Sequence, residues 1–196
     1  IAAFIFMAST ALIFFIESQP VEKGDGETAQ AGWKELINRR YLQYLLIISI
    51  VIFTLYLPQP LSQNYLQNEL GLNLSQIGRL ISVRSLGIVF LNLTLGHLNA
   101  RLGFLLAQVG VALFTFLMWR GVSMPWYMVG YFLLGSYQTA RGLAVAQGRS
   151  LIKSAYMGVG YGLIETAMSG ATVLAAPLAG VLYQINPIYT YSVGLV

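Results

Sequence analysis

Residues 80–119 read LISVRSLGIVFLNLTLGHLNARLGFLLAQVGVALFTFLMW, and this stretch decides the fold class of the chain. Two long apolar runs flank a short polar break, GHLNARLGF, at residues 96–104. A helix that spans a bilayer needs roughly 20 predominantly apolar residues, and each run approaches that length. The stretch therefore predicts two transmembrane helices, joined by a tight turn that makes them antiparallel neighbours.

The composition of the whole chain gives the same indication. Of its 196 residues, 57% are hydrophobic and only 9% are charged, and the mean hydropathy is +0.68. A soluble globular domain has about 25% charged residues. A soluble core of this size would not hide so much apolar surface. We therefore predict an integral membrane protein whose main partner is the lipid bilayer.

Several classes of site and partner are disfavoured by the same composition. The chain has no cysteine and one histidine, His97, which we expect at the surface, so we predict no disulfide and no metal site. The net charge of +4 is scattered over loops and helices, so nucleic acid is not an expected partner. No nucleophile-elbow, zinc-peptidase or phosphate-loop motif is present, and we predict neither enzyme activity nor a cofactor.

Seven apolar segments and one polar stretch organise the chain. We expect residues 1–16 to be the end of a transmembrane helix that starts upstream, which indicates a fragment of a longer chain. We expect residues 17–40, rich in charge, Gly and Pro, to be a linker. Residues 41–196 are predicted to form an all-α polytopic bundle of six helices, which short loops divide into three plus three. Its predicted spans are 41–61, 72–97, 104–119, 125–148, 155–183 and a truncated 188–196.

Lysine and arginine in the short loops predict the orientation of the bundle. Seven basic residues fall on the side of the linker, and only Arg120 falls on the other side. The seven are Lys23, Lys34, Arg39, Arg40, Arg101, Arg149 and Lys153. This excess places the linker and the loops 98–103 and 148–154 in the cytoplasm, and we expect the plasma membrane to hold the protein.

Three charged residues inside predicted helices, Arg84, Arg141 and Glu165, are the candidate functional residues. Glu165 is the only acid deep in a span, roughly 15 Å from the cytoplasmic end of its helix. Arg84 and Arg141 lie roughly 19 Å and 11 Å from theirs, so Glu165 can pair with either in a buried ion pair. Intramembrane charges usually mark pathways, which favours a substrate or proton site. A structural ion pair between helices is the alternative.

Small residues and one proline indicate how the helix over 155–183 packs. Gly158 and Gly162 form a GxxxG pattern, which lets helices approach closely. Pro177 removes a backbone hydrogen bond inside the helix, and we expect a kink there. Alanines at four-residue spacing extend the predicted packing face, and they are Ala171, Ala175 and Ala179.

Three motifs together resemble the C-terminal half of a transporter of the major facilitator superfamily. LPQPLSQNYLQNELGLNLSQIGRLISVRSLG, residues 57–87, resembles the end of the seventh helix of that family, an outer loop and the eighth helix. YGLIETAMSGATVLAAPLAGVLYQINP, residues 161–187, resembles the eleventh helix, with Gly180 following its proline. GHLNARLGF falls where the cytoplasmic loop between helices eight and nine is expected. The resemblance implies a six-helix half with 3+3 repeats.

The cytoplasmic loop motif of the family is only partly present. Gly96, Arg101 and Gly103 match its pattern, whereas Ala100 stands at the acid position and Phe104 at the closing basic position. In the family this loop helps to latch one conformation, and the two departures imply a weaker latch. We also expect Gly96 and Gly103 to permit the tight turn between the two helices.

The resemblance implies a secondary active permease that moves a small-molecule substrate by alternating access, with proton or ion coupling as an option. Arg84, Arg141 and Glu165 are then candidates for substrate contact or coupling. The missing N-terminal half of the same chain is the implied partner. The alternative is a non-transporting polytopic scaffold, or a membrane protein that modifies lipid headgroups.

Overall fold

The structure is a computed structural model, which describes residues 38–195 apart from the side chain of Ala155. The predictions for 1–16 and for most of the 17–40 linker lie outside the described residues. Within 38–195 the regular structure is helical, with no strand. The α-helices are α1 (Arg39–Tyr56), α2 (Ser62–Asn68), α3 (Leu74–Gly96), α4 (Ala100–Arg120), α5 (Met124–Leu134), α6 (Ser136–Gly148), α7 (Met157–Ile185) and α8 (Tyr189–Val193).

Asparagine side chains define where three of the long helices begin. The Oδ1 atom of Asn38 accepts a hydrogen bond from the Tyr41 N–H at 2.9 Å, at the start of α1. Asn73 and Gln76 form a reciprocal capping box at the start of α3, with both bonds at 2.9 Å. The Oδ1 atom of Asn99 accepts hydrogen bonds from the Arg101 and Leu102 N–H groups at 3.0 Å, at the start of α4. Each cap satisfies backbone N–H groups that have no partner inside the helix.

Four of the described helices are long and apolar enough to cross a bilayer. They are α1, α3, α4 and α7, of 18, 23, 21 and 29 residues. The spans predicted over 72–97 and 155–183 agree with α3 and α7 to within two residues at each end. The prediction of an all-helical fold is therefore confirmed for the described part of the chain, which contains four candidate membrane-spanning helices.

The helix predicted over 125–148 is interrupted at the single residue Gly135, whose backbone angles stay in the right-handed helical region, with φ −54° and ψ −29°. Helix α5 ends at Leu134 and α6 begins at Ser136. Two tight hydrogen bonds cross the break, from the Gly135 N–H to the Phe132 carbonyl at 3.1 Å and from the Gln138 N–H to the Gly135 carbonyl at 3.2 Å. They span three residues instead of four, which tightens the helix locally into a 3₁₀-like turn.

Two other predicted boundaries also differ from the structure. Helix α1 ends at Tyr56, not at 61, since Pro58 and Pro60 have no N–H group to continue the helical hydrogen bonds. The outer loop predicted after it contains the short helix α2, followed by Gly71 with a left-handed φ of 67°. The span predicted from 188 onward is the five-residue helix α8 in the described residues.

The helices pack around two groups of buried side chains. Helix α1 packs on α7, and α4 packs on both α5 and α6. Helix α3 also packs on α5 and α6. The first core group joins α1, α6, α7 and the middle of α4. The second joins α2, α5, α8, the N-terminal part of α3 and the C-terminal part of α4. This packing holds the charged residues of α3, α6 and α7 on one framework.

Candidate functional site

An ion pair joins α6 to α7 at the predicted charged residues. Arg141 Nη2 lies 2.6 Å from Glu165 Oε2. The structure therefore selects Arg141, not Arg84, as the partner of Glu165. The Arg141 and Glu165 side chains are 25% and 50% exposed, so the prediction of a buried pair is wrong for the described part of the chain.

Arg84 on α3 has no such partner. Its Nε atom is buried and forms no hydrogen bond to any described residue. Described acids are few, since residues 38–195 hold only Glu69 and Glu165. Glu165 is engaged by Arg141, and the Glu69 carboxylate accepts a bond from the Tyr183 hydroxyl at 3.4 Å. The guanidinium of Arg84 is therefore left without an acid among the described residues.

Two buried tyrosines lie within the electrostatic reach of Arg84. Tyr131 and Tyr137 are only 1% and 3% exposed, and the Arg84 charge acts on both of their hydroxyls. The Tyr131 hydroxyl donates to Ser62 Oγ at 3.2 Å. The Tyr137 hydroxyl has no acceptor among the described residues, and its neighbour Arg141 can only donate to it. A buried hydroxyl without a partner is costly, by about 1–3 kcal/mol.

The break at Gly135 brings these groups together. An ideal Cβ at Gly135 would lie 2.5 Å from the carbonyl carbon of Gly87, so the backbones of α3 and the α5–α6 junction touch at this point. Arg84 lies three residues before Gly87 on α3, and Tyr131 and Tyr137 flank the break. Only glycine permits so close a crossing. We call Arg84, Tyr131, Tyr137, Arg141 and Glu165 the polar cluster.

The polar cluster lies well inside the apolar helices. Arg84 is ten residues after Leu74, about 15 Å along α3. Glu165 is eight residues after Met157, about 12 Å along α7. Two positive side chains and one negative side chain leave the cluster with one net positive charge. Chemically, it offers guanidinium and phenol donors to an acceptor, and one carboxylate that can exchange a proton.

The loop motif residues have a different arrangement from the predicted one. Helix α3 ends at Gly96 and α4 already begins at Ala100, so Arg101 and Gly103 lie in the first turns of α4 and not in a loop. Arg101 is exposed. Gly96 has no atom within 4 Å of an ideal Cβ, so no close approach requires a glycine there. The tight-turn role predicted for Gly96 is therefore not required by any close contact, whereas that of Gly103 is supported, because its ideal Cβ would meet the end of α3 across the turn.

Gly103 permits the close approach of α4 to the end of α3 and to α6. An ideal Cβ there would lie 2.7 Å from the Leu95 carbonyl oxygen and 2.9 Å from Leu143 Cδ1. Beside it, Gln147 Nε2 donates to the Ala100 carbonyl at 2.9 Å. This bond joins the ends of α4 and α6 at the position where the family motif has an acid. Sequence reasoning missed Gln147, because its partner is a backbone carbonyl that any residue at 100 would supply.

The predicted packing role of Gly158, Gly162 and Gly180 is not met among the described residues. An ideal Cβ at each of them has no neighbour within 4 Å. Helix α7 also continues through Pro177, which is exposed. The packed face of α7 lies elsewhere and includes the three predicted alanines. Its buried residues are Gly160, Ile164, Met168, Ala171, Ala175 and Ala179.

Sequence reasoning also missed Tyr137, Tyr131, Gly87 and Gly135. A signal for Tyr137 was present, because it lies four residues before Arg141 and therefore on the same face of a helix. A glycine in mid-span was a weaker signal for the break.

No group of three or more possible metal-ligating residues occurs within 38–195. Comparison with known proteins finds no matching family, curated protein or solved structure.

Proposed function

We propose that this chain is part of a secondary active transporter of the major facilitator type, a permease that moves a small solute by alternating access. The observation that carries the proposal is the polar cluster inside apolar helices. Its charged residues come from α3, α6 and α7, so a solute bound there would contact several helices at once. Charged side chains at this depth are expensive in a bilayer and usually serve a pathway.

The interrupted helix beside the cluster also supports transport. Transporter sites lie near the bilayer midplane and are typically formed where helices are discontinuous. Here the break at Gly135 falls midway between Met124 and Gly148, next to Arg84 and Tyr137. Such interruptions also occur in static bundles, but a protein that moves about a central site can use one as a point of bending.

The proposal includes a topology and a missing partner. Residues 17–40 would be a cytoplasmic linker, and residues 41–196 the C-terminal half, with 3+3 helix repeats, of a plasma-membrane protein. The N-terminal half of the same chain would supply the other wall of the site. The full-length gene should then encode five further spans before residue 1, with a stricter copy of the loop motif after the second.

Transport by the full-length chain in proteoliposomes tests the proposal. A panel of radiolabelled anionic, neutral and cationic solutes would be offered with and without a pH gradient, and we expect saturable uptake of at least one. A Glu165→Gln variant should lose dependence on the pH gradient if Glu165 couples protons. The matched control is Glu69→Gln, which changes an acid outside the cluster and should leave coupling intact.

Two outcomes would contradict the proposal. A full-length chain that carries no further spans upstream would lack half of the required architecture. A folded, reconstituted chain that moves none of the solutes would favour the alternative of a membrane scaffold or a headgroup-modifying protein. Proton dependence that is unchanged in Glu165→Gln would leave transport standing but remove Glu165 as the coupling residue.

A further inference from the structure

We propose that the polar cluster binds an oxyanion, a carboxylate or phosphate group of a small solute, between the guanidinium of Arg84 and the hydroxyl of Tyr137. This inference deepens the proposed function, because it assigns the chemical class of the substrate that the same site would take. It begins from two donors without an acceptor: the Arg84 Nε–H and the Tyr137 hydroxyl are both buried, and neither donates a hydrogen bond to an atom in the described part of the chain.

Charge balance favours a negative ligand. Arg141 and Glu165 compensate each other at 2.6 Å, so the remaining charge of the cluster is that of Arg84. A guanidinium presents several N–H donors in a fixed plane, which matches the two oxygens of a carboxylate or phosphate. A cationic ligand would meet this positive charge with repulsion, and a neutral ligand would leave it uncompensated.

Tyr137 adds a donor at the correct place. Its side chain is 3% exposed and its ring packs against the ring of Tyr56, with centroids 5.8 Å apart, which fixes the direction of the phenol. Tyr137 lies two residues after Gly135, whose backbone touches Gly87 one turn beyond Arg84, so both groups belong to the same helix crossing. An anion between them would accept hydrogen bonds from both the Tyr137 hydroxyl and the Arg84 guanidinium.

The depth of Arg84 favours a solute over a lipid headgroup. Arg84 lies about 15 Å from the first residue of α3 and about 18 Å from its last. The hydrocarbon core of a bilayer is about 30 Å thick, so Arg84 lies near its middle when the helix spans it. A lipid phosphate resides at the edge of that core, and a small solute anion reaches the middle through a wet cavity.

Thermal protection of the full-length protein, delipidated in a neutral detergent, provides the test. The probes are acetate, succinate, citrate and inorganic phosphate as sodium salts, with sodium chloride at matched ionic strength as the reference. We expect at least one probe to raise the unfolding temperature in a saturable manner. Arg84→Gln should weaken the apparent affinity at least about tenfold, and Tyr137→Phe by about tenfold, because each removes a hydrogen bond to a charged group.

Matched variants separate a specific site from general charge effects. Arg79 lies on the same helix but is exposed, so Arg79→Gln removes the same charge and should leave protection unchanged. Arg84→Lys keeps the charge but loses the planar fork, and it should bind with intermediate affinity. If Arg84→Gln does not fold, Arg84→Lys and Tyr137→Phe still carry the comparison.

Several results would overturn the inference. The absence of protection by every probe in the natural protein would do so, as would equal protection in Arg84→Gln. Protection by phosphatidylglycerol but by no soluble anion would assign the site to a lipid. The proposed function fails separately: saturable anion binding without transport refutes the transporter, whereas transport of neutral or cationic solutes alone refutes the anion site.

Discussion

Replacing Gly87 by alanine is predicted to destabilise the crossing between α3 and the α5–α6 junction. The ideal Cβ of residue 87 overlaps the Phe132 carbonyl oxygen and lies 2.8 Å and 3.0 Å from the Phe132 carbonyl carbon and Cα. Ordinary contacts of a Cβ atom begin near 3.4 Å, so the two backbones have to move apart until the distance to the Phe132 carbonyl carbon rises from 2.8 Å to 3.4 Å. The neighbours are backbone atoms, which cannot rotate away as a side chain would.

The magnitude follows from two opposing effects. Forcing extra volume into a packed contact costs about 1–3 kcal/mol. Replacing glycine by alanine inside a helix returns up to about 1 kcal/mol through the lower entropy of the unfolded chain. Because the neighbours are backbone atoms, the cost lies in the upper part of that range, about 2–3 kcal/mol. The net loss is then about 1–2 kcal/mol, which lowers the unfolding temperature by about 2–8 °C for a chain of about 200 residues.

Thermal unfolding of the purified full-length protein in one fixed detergent measures this loss. Gly78→Ala is the matched control, because residue 78 lies on the same helix and has no atom within 4 Å of its ideal Cβ. The control should unfold at the same temperature as the natural protein or slightly higher. Equal unfolding temperatures for Gly87→Ala and Gly78→Ala would refute the close crossing and, with it, the placement of the polar cluster.

Three further predictions use the same unfolding assay. Gly160→Ala should lower the unfolding temperature, because its ideal Cβ lies 2.6 Å from Ile152 Cδ1, whereas Gly162→Ala should not; the reverse order would contradict the assigned packing face of α7. Asn73→Ala removes the capping box of α3 and should cost about 1 kcal/mol, and Asn73→Ser should restore most of it. Exchanging Arg141 and Glu165 should recover stability that either single reversal loses, and purely additive losses would argue against the pair.

The long helices were predictable because their signals are local. Asn73 and Gln76 define the start of α3 through a contact three residues apart. Helix α7 has 29 residues, more than the roughly 20 apolar residues that a bilayer span needs. Such signals depend on neighbours in sequence, so they survive in any tertiary arrangement. The sequence predicts the start of α4 at residue 104, four residues after its start in the structure, because Arg101 and its polar neighbours resemble a loop. The capping side chain of Asn99 is the signal for the earlier start.

The glycines show where local reasoning ends. The GxxxG pattern of Gly158 and Gly162 is as good a packing motif as any in the chain, yet both residues have open space around them in the described structure. Gly103 and Gly160 have close neighbours and fit no such pattern. Spacing identifies residues on one face of a helix, but only the position of neighbouring helices decides which face is covered.

The polar cluster was predictable from the sequence in part, and the rest of it depends on how the helices pack. The heights of Arg84, Arg141 and Glu165 follow from the helical rise, and this sufficed to predict that Glu165 reaches an arginine. The choice of Arg141 over Arg84 depends on the rotation of α3 and α6 about their axes, which height does not fix. Tyr137 gained its importance only when the structure showed its hydroxyl buried without a partner.

The exposure of Glu165 constrains what can cover that face of α7. Its side chain is 50% exposed even while paired, and Thr166 and Ser169 beside it are exposed as well. The Thr166 hydroxyl is satisfied by the Gly162 carbonyl at 2.8 Å and would tolerate lipid, but a half-exposed carboxylate would not. Insertion of such a charge at the bilayer centre costs about 2.5–3.5 kcal/mol. We therefore expect this face of α7 to meet water or protein instead of acyl chains, which is the environment that the proposed solute pathway between two halves would provide.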